Sequence, residues 1–148
     1  MKSLMQERDY KGFTLMEMLI VVAIIAILVA IAFPIFNKKL NDARVATDAA
    51  NIRTGYAAIN SRIIEHPGEY PGNVIAGLPG NTLHKDGTVG GQYDNSYRTQ
   101  GDATSEDYKD IVDSLKSCGV KKGWEKNRRV AYMWDGDKNK VFVVYPTK

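Results

Sequence analysis

Apolar and polar positions divide the 148-residue chain into three stretches of different rhythm. From Met18 to Asn37, 20 consecutive residues carry no charge, and nearly all are Ile, Val, Leu, Ala, Met or Phe. As a helix that run spans roughly 30 Å, the hydrocarbon thickness of a bilayer. The rest of the chain is too small and polar to wrap such a helix, so the run predicts insertion into a membrane. Past Asn37 the rhythm changes. Val45, Ala49, Ile52, Tyr56, Ile59 and Ile63 recur at alternating spacings of four and three, an apolar stripe along one side of a helix. Lys39, Asp42, Arg44, Asp48, Arg53 and Arg62 fall mostly on other faces. Gly55 weakens the helix without ending it, and Pro67-Gly68 stops it. Residues 13–65 therefore read as one helix of roughly 80 Å, kinked near Pro34, where proline removes a helix hydrogen bond.

A helix this long cannot bury its stripe alone. Fewer than three heptads are available for a coiled coil, so the amphipathic half (37–65) is expected to carry a globular head (66–148), with 13–36 as the stem. Residues 66–104 hold many of the chain's glycines and prolines and alternate too little to mark strands. They read as a long loop of turns, in which Val74-Ile75-Ala76 can dock on the helix. Ser105-Glu106-Asp107-Tyr108 opens a short helix (105–118): Ser105 caps it, Tyr108, Ile111, Val112 and Leu115 form its buried face, and Gly119 fits its end. Val130–Trp134 and Val141–Tyr145 read as a hairpin (129–146) around Asp135-Gly136-Asp137-Lys138-Asn139. Two strands alone are marginal, so they should lie on the long helix, with room for a third strand from the loop. The expected fold class is α+β, one long N-terminal α-helix packed against a small antiparallel sheet.

Composition narrows the function. Apolar residues at 44% exclude global disorder, and a net charge of +3 is too small to imply nucleic acid. The lone Cys118 excludes an intramolecular disulfide framework and a multi-cysteine metal site. Three membrane readings compete. A cleaved secretory signal would use Ala30-Ile31-Ala32 as its small-residue site, but cutting there leaves Phe33-Pro34-Ile35-Phe36 at a frayed end. A plain signal anchor would keep the helix. The third reading turns on Lys11-Gly12-Phe13-Thr14-Leu15-Met16-Glu17. A carboxylate at the edge of an apolar segment calls for a partner, and no cation lies within a turn on the C-terminal side of Glu17. A cut between Gly12 and Phe13 would place a charged α-amino group four residues before Glu17, able to neutralise it in the same chain or in a neighbour. The other reading leaves Glu17 solvated at headgroup depth. From the acid alone both stand.

Gly12-Phe13-Thr14-Leu15-x-Glu17, with its apolar run and short basic leader, resembles the prepilin signature of type IV pilins and type II secretion pseudopilins. Pro34 also stands where that family commonly has a proline, and the resemblance covers residues 8–45. It implies a leader (1–12) removed by a prepilin peptidase after Gly12, methylation of the Phe13 amine, and pairing of Glu17 with a neighbour's N-terminal amine. It also implies a membrane pool, an assembly platform, minor pilins and a helical homopolymer on a bacterial surface. Orientation comes from the resemblance too, because Lys2, Arg8 and Lys11 on one flank balance Lys38, Lys39 and Arg44 on the other. One departure is the missing C-terminal cysteine pair that many pilins carry.

Three other constellations were weighed. Asp135, Asp137 and Asn139 alternate like calcium ligands but lack the acid that completes a calcium loop, so a hairpin turn is the default and no cofactor is expected. Lys121, Lys122, Lys126, Arg128 and Arg129 around Trp124 could contact nucleic acid by phosphate pairing and stacking. The acids Asp102, Glu106, Asp107, Asp110 and Asp113 favour contact between identical subunits instead. His66 and His84 are isolated, and Val89-Gly90-Gly91-Gln92 lacks the lysine of a phosphate loop, so nothing points to an enzyme. The expected function is a pilus subunit serving adhesion, motility or surface interaction. The alternatives are a pseudopilin of a secretion or DNA-uptake machine and, outside the family, a signal-anchored surface-binding module.

Overall fold

A computed structural model describes residues 12–65, 82–90, 95–135, 138 and 140–145. Leu15–Glu65 forms a 51-residue helix, α1, with Pro34 inside it. The chain divides into two units, residues 1–38 and 39–148. The described part of the first is helical from Leu15 onward, and its apolar side chains are exposed.

The second unit is built on the later turns of α1. Val45, Ala49, Ile52 and Ile59 are buried, while Tyr56 and Ile63 pack partly buried against the same core. This is the stripe that the four-and-three spacing marks. One member of the face is unexpected: Asp48, placed off the stripe by its charge, is 0% exposed. Its position three residues after Val45 and four before Ile52 puts it on the buried side, and helix geometry prevails over residue type.

The sheet has four antiparallel strands in the order β2-β1-β3-β4: β1 Thr82–Leu83, β2 Val89–Gly90, β3 Ala131–Asp135 and β4 Lys140–Val144. Ala131 pairs with both Val144 and Thr82, which sets β3 between the hairpin partner and the loop strand. The reading of 66–104 as turns without strands is corrected here. Strands of two residues are too short to show a period of two, and they exist through their register with β3. Val74-Ile75-Ala76 lies outside the described residues.

Between β2 and β3 the chain makes a 3₁₀ turn at Glu106–Tyr108, a short helix α2 at Lys109–Ser114, and a second 3₁₀ turn at Lys116–Cys118. Ser105 caps the first turn by accepting the Asp107 N–H. Gly119 leaves the last with φ 80°, and a Cβ there would meet Val141 O and Phe142 Cα at 2.5 Å. Tyr108, Val112 and Leu115 face the core, with Ile111 partly buried.

Gly55 has a packing reason. Its missing Cβ would sit 2.2 Å from Tyr132 Oη. The gap lets the β3 phenol reach the helix and donate to the Ile52 carbonyl at 2.7 Å. A glycine that weakens the isolated helix thereby admits a sheet-to-helix bond.

Candidate functional site

The start of α1 is closed by a reciprocal cap. The Thr14 N–H and hydroxyl both donate to Glu17 Oε2, at 2.7 and 2.9 Å, while the Glu17 N–H donates to Thr14 Oγ1 at 3.2 Å. This is the capping box that Ser/Thr-x-x-Glu forms at helix starts. Thr14-Leu15-Met16-Glu17 carries the pattern in plain sight, yet reading Glu17 as an acid in need of a cation leaves Thr14 out. Among the described residues no bond ends on Oε1 of Glu17. The cap turns the carboxylate back toward Phe13, where a freed amine would arise. Phe13 is 79% exposed, and a Cβ on Gly12 would meet nothing within 4 Å.

From Met18 the helix shows its apolar side chains on every side. The window from this helix that best fits a membrane crossing has a mean hydropathy of 3.2 over 18 residues, and none of it is buried. Pro34 continues in helical conformation within this stretch.

In the second unit the centre of gravity is Asp48. Its carboxylate accepts from the Tyr97 hydroxyl at 2.5 Å, the Gln100 N–H at 2.9 Å, the Gly101 N–H at 2.9 Å and the Trp124 indole N–H at 3.0 Å. A charge out of contact with water needs such a set of donors. Burial, followed by this bond to Asp48, pushes the Tyr97 phenol well above its usual range. Burial likewise raises Tyr132 and Tyr145. Other polar groups of α1 hold the same chain stretch. Asn41 donates to the Asp102 carbonyl, Asp42 accepts from the Tyr108 hydroxyl, and Arg53 donates to Ser114 Oγ.

The basic cluster read from the sequence does not form one patch. Trp124 is 1% exposed with its N–H committed to Asp48, so it offers no face for a base to stack on. A tryptophan between lysines looks like a surface residue in sequence, but here the chain turns it inward to supply the buried acid. Arg128 is spent on the Glu125 carboxylate, which accepts from its Nε at 2.8 Å. Lys121 lies over the Phe142 ring, 4.6 Å from its centre. It lines a cleft of about 390 Å³ with Lys116, Asp135, Lys138, Lys140 and Phe142. Lys122 and Lys126 are exposed. Arg129 lines a separate groove of about 650 Å³, with Lys85, Arg98, Asn51, Ser96, Tyr97 and Gln100. Lys85 and Arg98 are absent from the sequence reading because they sit in the loop, and only the register of the Arg98–Arg129 bridge brings them near.

Asp135 ends β3 and pairs with Lys138 at 3.2 Å; Asp137 and Asn139 lie outside the described residues, as does His66. Nδ1 of His84 is 3.1 Å from Thr88 Oγ1. Among the described residues no group of three or more His, Cys, Asp or Glu side chains gathers to hold a metal ion.

Residues 8–33 match the family described as the prokaryotic N-terminal methylation motif. The chain is 34% identical over 120 residues to fimbrial protein EcpC of Eikenella corrodens, a match covering 80% of this chain and 71% of that protein. It is 52% identical over 50 residues to the type IV narrow pilus major component PilA5 of Thermus thermophilus, covering 32% of this chain and 43% of that one. A fimbrial protein of Neisseria meningitidis is 38% identical over 63 residues, 43% of this chain and 36% of its own length. No solved structure matches the chain at a significant level.

Proposed function

The chain belongs to the type IV pilin family, and from that premise we propose how this subunit is processed and joined to its neighbours. It is a structural subunit of a pilus, held in the membrane as a precursor and then displayed on the cell surface in the filament. A prepilin peptidase cuts between Gly12 and Phe13, and the new Phe13 amine is methylated. The apolar stem around Pro34 leaves lipid for the stems of other copies, drawn in through an assembly platform with minor pilins. Lipid is as apolar as leucine, so this exchange brings no bulk hydrophobic gain. The gain comes from close packing of stems and from the charge of Glu17. One carboxylate oxygen caps the helix through Thr14, and Oε1 stands ready for the ammonium of a neighbouring copy.

The arrangement of Thr14 and Glu17 is the observation that carries this reading. A carboxylate needed only as a cap would serve equally well without a charged amine nearby, whereas one that also binds a neighbour needs a freed Phe13. The N-terminal residue of the protein isolated from filaments tests it. Methylated phenylalanine is expected, and Gly12→Glu should leave the leader attached and the subunit in the membrane. A mature chain beginning anywhere else would overturn the proposal. The named relatives are fimbrial proteins and pilus components, which favours a pilus over a secretion machine.

A further inference from the structure

The groove beside Arg98 and Arg129 is an unusual place to put cations. The two arginines face each other across an isolated antiparallel bridge, and like charges placed directly across a bridge repel. Lys85 lines the same groove, together with the amides of Asn51 and Gln100 and the hydroxyls of Ser96 and Tyr97. No acid lines it. Asp48 lies behind Tyr97, but its carboxylate is occupied by four donors and is fully buried. The contrast with Arg128, which has Glu125 beside it, is direct. Arg98 spends one N–H of its guanidinium on the Asn127 carbonyl, a neutral partner. Three cations are thus gathered where the chain supplies no lining carboxylate.

We propose that this groove receives the acidic segment 102–113 of a second copy of the chain, forming a head-to-head-neighbour contact in the filament. The inference rests on the reading of the chain as a filament subunit. Three arguments select this occupant. Its segment carries Asp102, Glu106, Asp107, Asp110 and Asp113 against the single base Lys109, and all five acids are exposed. A volume of about 650 Å³ accommodates several side chains rather than one small ion. In a filament the neighbouring copy is present at an effective concentration in the millimolar range or above, so a contact that is weak in solution is populated. Arginine suits the task because its planar fork binds carboxylates in pairs of parallel hydrogen bonds. Asp110 is the acid best placed to donate its charge to the contact: Asp113 pairs with Lys116 at 2.7 Å and Glu106 with Lys109 at 3.7 Å. A contact between copies made this way sets which face of one head meets which face of the next, a choice that the featureless apolar stem cannot make.

The test is a charge swap in the full-length chain, scored as filaments sheared from cells against the subunit pool in the membrane. Arg98→Glu with Lys85→Glu, and separately Asp110→Lys with Glu106→Lys, should each cut filaments by more than about tenfold with the pool unchanged, since like charges in a contact cost several kcal/mol. Combining the two reversals should restore them. Arg128→Glu, whose native partner is internal, should not be rescued by the acidic-face reversal. Full filament yield from either single reversal overturns the contact, as does failure of the combination to recover when its pool is normal. If a reversal depletes the pool itself, the milder pair Arg98→Gln and Asp110→Asn is scored in the same way. Intact filaments with lost DNA binding would assign the groove to nucleic acid and also overturn the proposal. A wild-type chain that forms no filaments would instead defeat the pilus reading itself.

Discussion

Helix α1 holds two acids whose circumstances are opposite. Asp48 is sealed from water and satisfied within its own chain by four donors from residues 97–124. Glu17 stands exposed, held only by Thr14, with no bond on Oε1 among the described residues. Their surroundings differ in the same sense. Around Asp48 the helix buries a stripe against the sheet and the 97–124 stretch, whereas from Met18 to Phe36 it buries nothing. A buried charge with a complete set of donors is a finished part of one molecule. An exposed apolar helix with a half-used carboxylate is a part whose remaining contacts come from elsewhere. One helix thus serves folding at one end and assembly at the other.

Substituting each acid tests that division. Glu17→Ala should have the largest effect on filaments, reducing them by more than about tenfold while membrane insertion and the folding of residues 39–148 stay as they are. Electron microscopy of sheared material and an immunoblot of the membrane pool measure both. Normal filaments would show that Glu17 is a cap and no more. Asp48→Asn should do the reverse at the level of stability. An amide cannot accept from every donor that the carboxylate does, and it turns an N–H₂ toward other N–H groups, so about 2–4 kcal/mol should be lost. The thermal midpoint and the protease resistance of the full-length subunit report that loss. Filaments, where the variant folds, should still form.

A smaller effect is expected from alkali. Tyr97, Tyr132 and Tyr145 are held above the ordinary phenol value of 10.0, chiefly by burial. Above pH 10 the unfolded chain gives up these protons before the folded one does, so their contribution is intact below that point and declines as pH rises. The slope approaches about 1.4 kcal/mol per pH unit for each buried phenol. Tyrosinate absorbance rising together with loss of helix signal would show this; free ionisation of all the phenols in a folded head would contradict it. The residues around Glu17 should be indifferent to the same change.

Much of the fold is legible in the residues, and the limits are physical. Long apolar and amphipathic periods survive any tertiary context, so α1 and its buried face can be read directly, as can the hairpin of β3 and β4. Two-residue strands have no period to read, and β1 and β2 arise only because β3 offers them an edge. The candidate site divides in the same way. The approach of Gly12, Phe13 and Glu17 is local and visible, and the Thr14 cap was visible too. Asp48, Trp124, Lys85 and Arg98 depend on contacts far apart in the chain. Charge suggests the surface for Asp48 and Trp124, and each is drawn inward by the other. Gly55 is a similar case: helix propensity marks it as a flaw, and only the position of Tyr132 gives it a purpose.

The distance along the chain between Asp48 and its indole donor, 76 positions, has a consequence for the order of events during synthesis. The acid emerges early and waits in water, fully hydrated, until most of the remaining polypeptide has followed. Closure of the core around it therefore belongs to the final steps of maturation, since contacts this remote in sequence form slowly. A truncated product ending before Trp124 would keep its long helix and lack the latch that fastens the rest to it.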